Sequence, residues 1–145
     1  MTQKSCVVDR LLVVNWLTTP DETDVSAFDA AIATARQTVT PPLHHISILG
    51  KEMDMPAVGV QRALMKRAMK LKVACESLHA VYEGGGIKDR LARRFLKTMV
   101  PMVGLKGKAF VHESMAAALA QLAPQLGAPV DVVLQKLDAA GVLRT

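Results

Sequence analysis

Hydrophobic and polar positions along the chain fall into two alternating periods, one near two residues and one near three and a half. Residues 5–8 (SCVV) and 11–17 (LLVVNWL) are β-branched and apolar, and only Asp9-Arg10 separates them. Two strands joined by a two-residue turn fit this pattern. The near-continuous apolar run of the second predicts a strand covered on both faces. After a polar loop with Pro20, Val25, Phe28, Ala31, Ile32 and Ala35 recur at helical spacing. They predict an amphipathic helix from Val25 to about Thr38, with Thr23 or Asp24 as its N-cap and Pro41-Pro42 beyond its end.

Leu43 to Gly50 alternates as a strand. A polar loop, Lys51 to Pro56, leads to a long helix predicted over Ala57 to Ser77. Its apolar stripe is Val60, Leu64, Ala68, Leu71 and Cys75, flanked by Met65, Met69 and Val73, while Arg62, Lys66 and Lys70 make a basic stripe. Leu78 to Glu83 returns as a strand and runs into Gly84, Gly85 and Gly86. In the helix that follows, Ile87, Leu91, Phe95 and Met99 form the expected buried side, and Arg90, Arg93, Arg94 and Lys97 the basic one. Pro101 and Gly104 end it. A short strand (Lys108 to His112), an Ala-rich helix (Glu113 to Ala123) and a last helix (Val130 to Ala140) complete the chain. The order ββαβαβαβα plus one helix predicts an α/β fold. Its sheet is mostly parallel, of about five strands with an N-terminal hairpin, and helices pack on it.

Composition narrows the picture. At 145 residues, half of them hydrophobic, the chain suits one domain with its own core. Residues 1–123 are read as the α/β domain and 124–145 as a helical extension packed on it. With five aromatic residues and eight methionines, aliphatic side chains and Met must fill that core. The two cysteines, Cys6 and Cys75, lie near no His or Cys at metal-ligand spacing, so neither a disulfide framework nor a zinc site is expected. No apolar run reaches the length of a membrane span and no signal-peptide pattern opens the chain, so a cytoplasmic location is expected.

The hairpin VVDRLLVVNW, the stretch ISILGKEMDMPAVGVQRAL and the late KAFVHESMAAALAQL together resemble the STAS domain, the anti-sigma-factor-antagonist fold, in its divergent bacterial branch. The resemblance covers roughly residues 4–123. It implies a non-enzymatic regulatory module that binds another protein, with no cofactor. In that family a Ser or Thr at the start of the helix after the third strand is the phosphorylation switch. The matching turn here, Asp54-Met55-Pro56-Ala57-Val58-Gly59, contains neither, so the switch is not carried over. Its position remains the expected docking surface: Met53, Asp54, Met55, Val58 and Arg62, for another protein or a second copy of the chain.

Candidate chemistry is sparse. YEGGGIKDR has no Gly-Lys-Ser/Thr and only part of G-x-G-x-x-G. A small anionic ligand (nucleotide, phosphate or lipid headgroup) held by Gly84, Gly85, Gly86, Lys88 and Arg90 is the alternative function. His44 and His45 are adjacent on a strand and must point to opposite faces. His79 near the start of one strand and His112 at the end of the next are expected to lie apart. Glu52, Asp54 and Glu83 are the carboxylates nearest the strand ends. The net charge of +5 and pI near 9.5 suit an anionic partner. The scarcity of aromatics disfavours nucleic acid. If the helices share a face, the two basic stripes would merge.

Overall fold

Alternation along one strand, β2 (Leu11–Trp16), decides how the protein is layered. All six of its residues are buried, and they point in turn to opposite faces of the sheet. Leu11 and Val13 enter one core and Leu12, Val14 and Trp16 the other. The computed structural model describes residues 3–50, 56–102 and 104–143, without the side chains of Phe95, Met99 and Met102.

Five strands form a single sheet in chain order: β1 (Gln3–Val8), β2, β3 (Leu43–Leu49), β4 (Cys75–Tyr82) and β5 (Ala109–His112). β1 is antiparallel to β2, and the remaining pairs are parallel. The expected mostly parallel sheet with an antiparallel hairpin is therefore present. The hairpin turn places Asp9 at φ 53°, a left-handed conformation that Asp tolerates better than most residues.

Parallel crossovers of one hand, all stepping the same way, leave their helices on one face. The helices α1 (Glu22–Thr38), α2 (Val58–Ala74) and α3 (Ile87–Met102) accordingly cover the side of Leu12, Val14 and Trp16. α4 (Met115–Leu126) returns beneath the opposite face and is joined there by α5 (Val130–Ala139). Met115, Ala118, Leu119 and Leu122 of α4 meet Val133 and Leu137 of α5 against Leu11, Val13, Ile46 and Val81. Beyond α5, the buried Val142 gives its carbonyl to the Asn15 side-chain amide at 2.9 Å.

Several boundaries differ from expectation. α1 starts earlier because Asp21, not Thr23 or Asp24, is the N-cap. Its carboxylate accepts the Asp24 N–H while the Asp24 carboxylate accepts the Asp21 N–H, a reciprocal capping box. α2 ends at Ala74, three residues before the expected Ser77. Cys75 is extended (φ −108°, ψ 144°) and pairs with Leu43, so it opens β4 and is not part of a helical stripe. Pro124 lies inside α4, which continues to Gly127, a left-handed C-cap at φ 67°.

The largest difference is the orientation of α3. Ile87 and Leu91, expected to be buried, face solvent, and the inward residues include Arg93, Leu96 and Val100. The methionines also divide: Met115 is buried, while Met65 and Met69 are exposed.

Leu137 is fully buried between α5, α4 and the sheet. Leu137→Ala should cost about 2–5 kcal/mol in urea unfolding, with a single cooperative transition retained. A change below about 0.5 kcal/mol would mean that α5 lies outside the folded unit.

Candidate functional site

Of the residues expected to form a docking surface, Met53, Asp54 and Met55 lie outside the described residues, as does Glu52. Val58 opens α2 and is exposed, and Arg62 one turn later is also exposed. Glu83 is exposed at the end of β4.

The glycine turn is held by the chain's own charges. Gly84 has φ 140°, and a Cβ there would run into the Asp89 carboxylate. That carboxylate accepts the Gly86 N–H at 3.2 Å, at the start of α3, where a bound anion would sit. Arg93 reaches back from α3 and donates to the carbonyls of Tyr82 and Gly84, both at 2.8 Å. The turn is thus closed by Asp89 and Arg93, while Lys88 and Arg90 point to solvent.

Two polar networks occupy opposite faces of the sheet. On the α1–α3 side, His45 Nδ1 lies 3.1 Å from the Leu12 carbonyl, which only an N–H can satisfy. Its Nε2 is then the acceptor for the Ser47 hydroxyl at 2.8 Å, and Trp16 Nε1 donates to the same oxygen at 3.3 Å. Phe28 packs edge-on against Trp16 and beside His45. Every polar atom of this group is paired. Burial holds His45 down at about 4 against its ordinary 6.5.

On the α4–α5 side, four residues from three strands form a relay. His44 Nδ1 meets Ser77 Oγ at 2.7 Å, Ser77 Oγ meets His79 Nε2 at 2.8 Å, and His79 Nδ1 meets His112 Nε2 at 2.8 Å. The expectation that His79 and His112 lie apart is corrected. β4 begins at Cys75, so His79 is mid-strand, paired with Phe110, and His112 is two residues further along β5. The two imidazoles stack at 5.1 Å. His44 and His45 do point to opposite faces, as alternation requires.

The relay has a preferred polarity. His44 Nε2 is buried without a partner. An unpaired lone pair costs less than an unpaired N–H, so the proton of His44 sits on Nδ1 and is donated to Ser77. Ser77 then donates to His79, and His79 to His112. Burial lowers the pKa of all three histidines, His79 to about 3, so the relay is uncharged at neutral pH. In this polarity His44 donates to the Ser77 hydroxyl and does not take its proton, and among the described residues no group of His, Cys, Asp and Glu could hold a metal ion. Burial also raises both thiols to about 11, which leaves Cys6 and Cys75 protonated packing groups.

Between α2, α3 and the sheet lies an apolar cleft of about 320 Å³. Leu64, Ala68 and Leu71 of α2, Leu96 and Val100 of α3, and Ala80 and Val111 of the sheet are among its lining residues. α1 and α2 are packed together and tied by Arg67, which grips Asp29 at 2.8 and 3.0 Å. α2 and α3 have no comparable contact, and the cleft opens between them.

The outer surfaces of the same two helices are also apolar. All six large hydrophobic side chains exposed among the described residues lie there: Val58 (61%), Met65 and Met69 (42% each), Val73 (87%), Ile87 (74%) and Leu91 (58%). Arg62, Lys66, Lys70, Arg90, Arg94 and Lys97 are interspersed and exposed. The two basic stripes therefore occupy one side of the molecule, apart from Arg93, which is turned inward.

No family model matches the chain, and no curated protein or solved structure does so either. No single helix among the described residues is long and apolar enough to cross a membrane.

The buried histidines make stability depend on pH with a definite sign. In the unfolded chain His45 and His79 titrate near 6.5, whereas in the fold they do so at about 4 and about 3. Below 6.5 the unfolded state binds more protons, so stability is full above that pH and falls as pH drops toward the folded values. Between pH 8 and pH 5, His45 alone should remove about 2 kcal/mol. Urea unfolding across this range should show the decline, and His45→Leu should remove its own share, leaving the part that His79 contributes. An unchanged midpoint from pH 8 to 5 would mean that these histidines are not buried as neutral groups.

Proposed function

We propose that the protein is a non-enzymatic, regulatory binding module of the STAS-like kind, which docks another protein through the outer surfaces of α2 and α3. The observation that carries this reading is the confinement of every large exposed hydrophobic side chain among the described residues to those two helices. Apolar side chains scattered singly over a surface need no explanation, but a set gathered on one side of a domain marks an interaction surface. Two of the six are methionines, whose flexible thioethers adapt to a partner's shape.

The basic residues set between them select for charge. A second copy docked through the same surface would bring like charges together, whereas a partner with an acidic, partly apolar face would be complementary. The strand order and the antiparallel hairpin support the STAS-like reading. With Asp54 to Gly59 lacking Ser and Thr, docking here is set by apolar contact and charge, not by a phosphate on that turn. The non-enzymatic reading rests on chemistry: the thiols are held protonated and the histidines neutral, with His44, His45 and His79 enclosed. The glycine turn offers less to an anion, because Asp89 already occupies its N–H.

A photo-cross-linking amino acid in place of Val73 or Leu91 should trap one discrete adduct in the native host, heavier than the chain by the mass of its partner. The same probe at the exposed Gln135 on α5 should trap none. Lys66→Glu with Lys70→Glu should reduce the adduct about tenfold if the partner is acidic. A ladder of unrelated adducts, or equal yield at all three positions, would remove the docking surface from α2 and α3.

A further inference from the structure

We infer that the cleft between α2, α3 and the sheet is a binding site for a single-chain fatty acid, its hydrocarbon tail in the cleft and its carboxylate at Lys97 beside the β5 edge. This site lies beneath the proposed docking surface, and the inference does not rest on that surface being used.

The tail is argued from the lining. The cleft, at about 320 Å³, falls within the range of small-ligand sites, and its walls are almost wholly hydrocarbon. The polar groups beside it, His45, Ser47 and Trp16, already donate to one another and to the Leu12 carbonyl, and leave no spare donor for a carbonyl or carboxylate. A carboxylate there would lose its water without replacement, so it is the hydrocarbon part of a ligand that suits this cleft. The small residues Ala68, Ala80 and Ala109 face the space from α2, β4 and β5 and create its volume.

The head is argued from what adjoins the cleft. A second hollow, also of about 320 Å³, shares Val100, Ala109, Phe110 and Val111 with the first and lies along β5. It differs in carrying Lys97, His112 and Gln121. An extended molecule running from the apolar cleft past Val100 and Val111 therefore meets a cation and an amide. β5 is the edge strand of the sheet, so this end is also where a ligand can enter. A chain with an anionic end matches both halves, and one with a cationic end matches only the first.

The test is calorimetric titration of the full-length protein with octanoate, decanoate and dodecanoate, each below its critical micelle concentration. Binding should be one to one and should tighten about fourfold for each added methylene. Its heat-capacity change should be negative. Alkyltrimethylammonium ions of equal chain length should bind at least about tenfold more weakly. Ala68→Phe, which fills the cleft, should abolish binding. Lys97→Glu, at an exposed position, should weaken the alkanoates and leave the matching alkanols unchanged. If Ala68→Phe does not fold, the wild-type amide shifts induced by dodecanoate decide the matter. They should be confined to α2, α3, β4 and β5. Absence of saturable binding, affinity independent of chain length, or equal affinity for the cationic series would overturn the assignment. So would binding to phosphatidylglycerol vesicles without uptake of free dodecanoate, because that would make the basic surface, not the cleft, the site.

Discussion

The double burial of β2 is the constraint on which the rest of the structure depends. Because its six residues alternate between two sealed cores, a slip of one residue would exchange Leu11 and Val13 with Leu12, Val14 and Trp16. The pairing of Leu12 with His45 and Leu11 with His44 is fixed by the same register. That register assigns one histidine to each face, and the two polar networks follow from it. The three-layer arrangement is thus the only way for this strand to be covered twice: three helices on one side, two on the other.

Those networks show why a sheet interior can hold four histidines. A neutral imidazole, like a hydroxyl, both donates and accepts, so a row of histidines and a serine can satisfy itself in low dielectric. His45 is paired by a carbonyl and a serine, and the relay on the other side needs only Ser77 to join three rings. The one buried side-chain atom without a partner among the described residues, His44 Nε2, is a lone pair, the less expensive of the two possibilities. These histidines act on stability through protonation, and the burial of His44, His45 and His79 separates those three from chemistry at the surface.

Strands and helices were legible where their period was clean. The run LLVVNW announced a strand covered on both sides, and Phe28, Ile32 and Ala35 announced the buried stripe of α1. The boundary between α2 and β4 was hidden because Cys75 continues a helical stripe by accident of spacing, while Ser77 and His79 disguise buried strand positions as polar. Once β4 was begun too late, His79 could not be placed beside His112. The relay needed cross-strand register, which a sequence pattern does not carry. The cleft was invisible for a similar reason. Ala68, Ala80 and Ala109 belong to three elements, and their small size becomes a volume only when the fold brings them together.

The turned orientation of α3 connects the outer surface with the inner cleft. Its amphipathic pattern offered Ile87, Leu91, Phe95 and Met99 as the buried side and Arg93 as part of the basic one. The chain instead turns Arg93, Leu96 and Val100 inward, and Arg93 there completes the carbonyls of Tyr82 and Gly84 at the end of β4. Unpaired carbonyls in a half-buried turn are costly, and one guanidinium nitrogen, Arg93 Nη1, donates to both. The consequence is displaced hydrophobicity. Ile87 and Leu91 go to the surface, as Met65, Met69 and Val73 of α2 do, while Leu96 and Val100 line the inner cleft. The rotation of α3 that Arg93 favours therefore adds Ile87 and Leu91 to the exposed apolar side chains of α2 and turns Leu96 and Val100 toward the cleft.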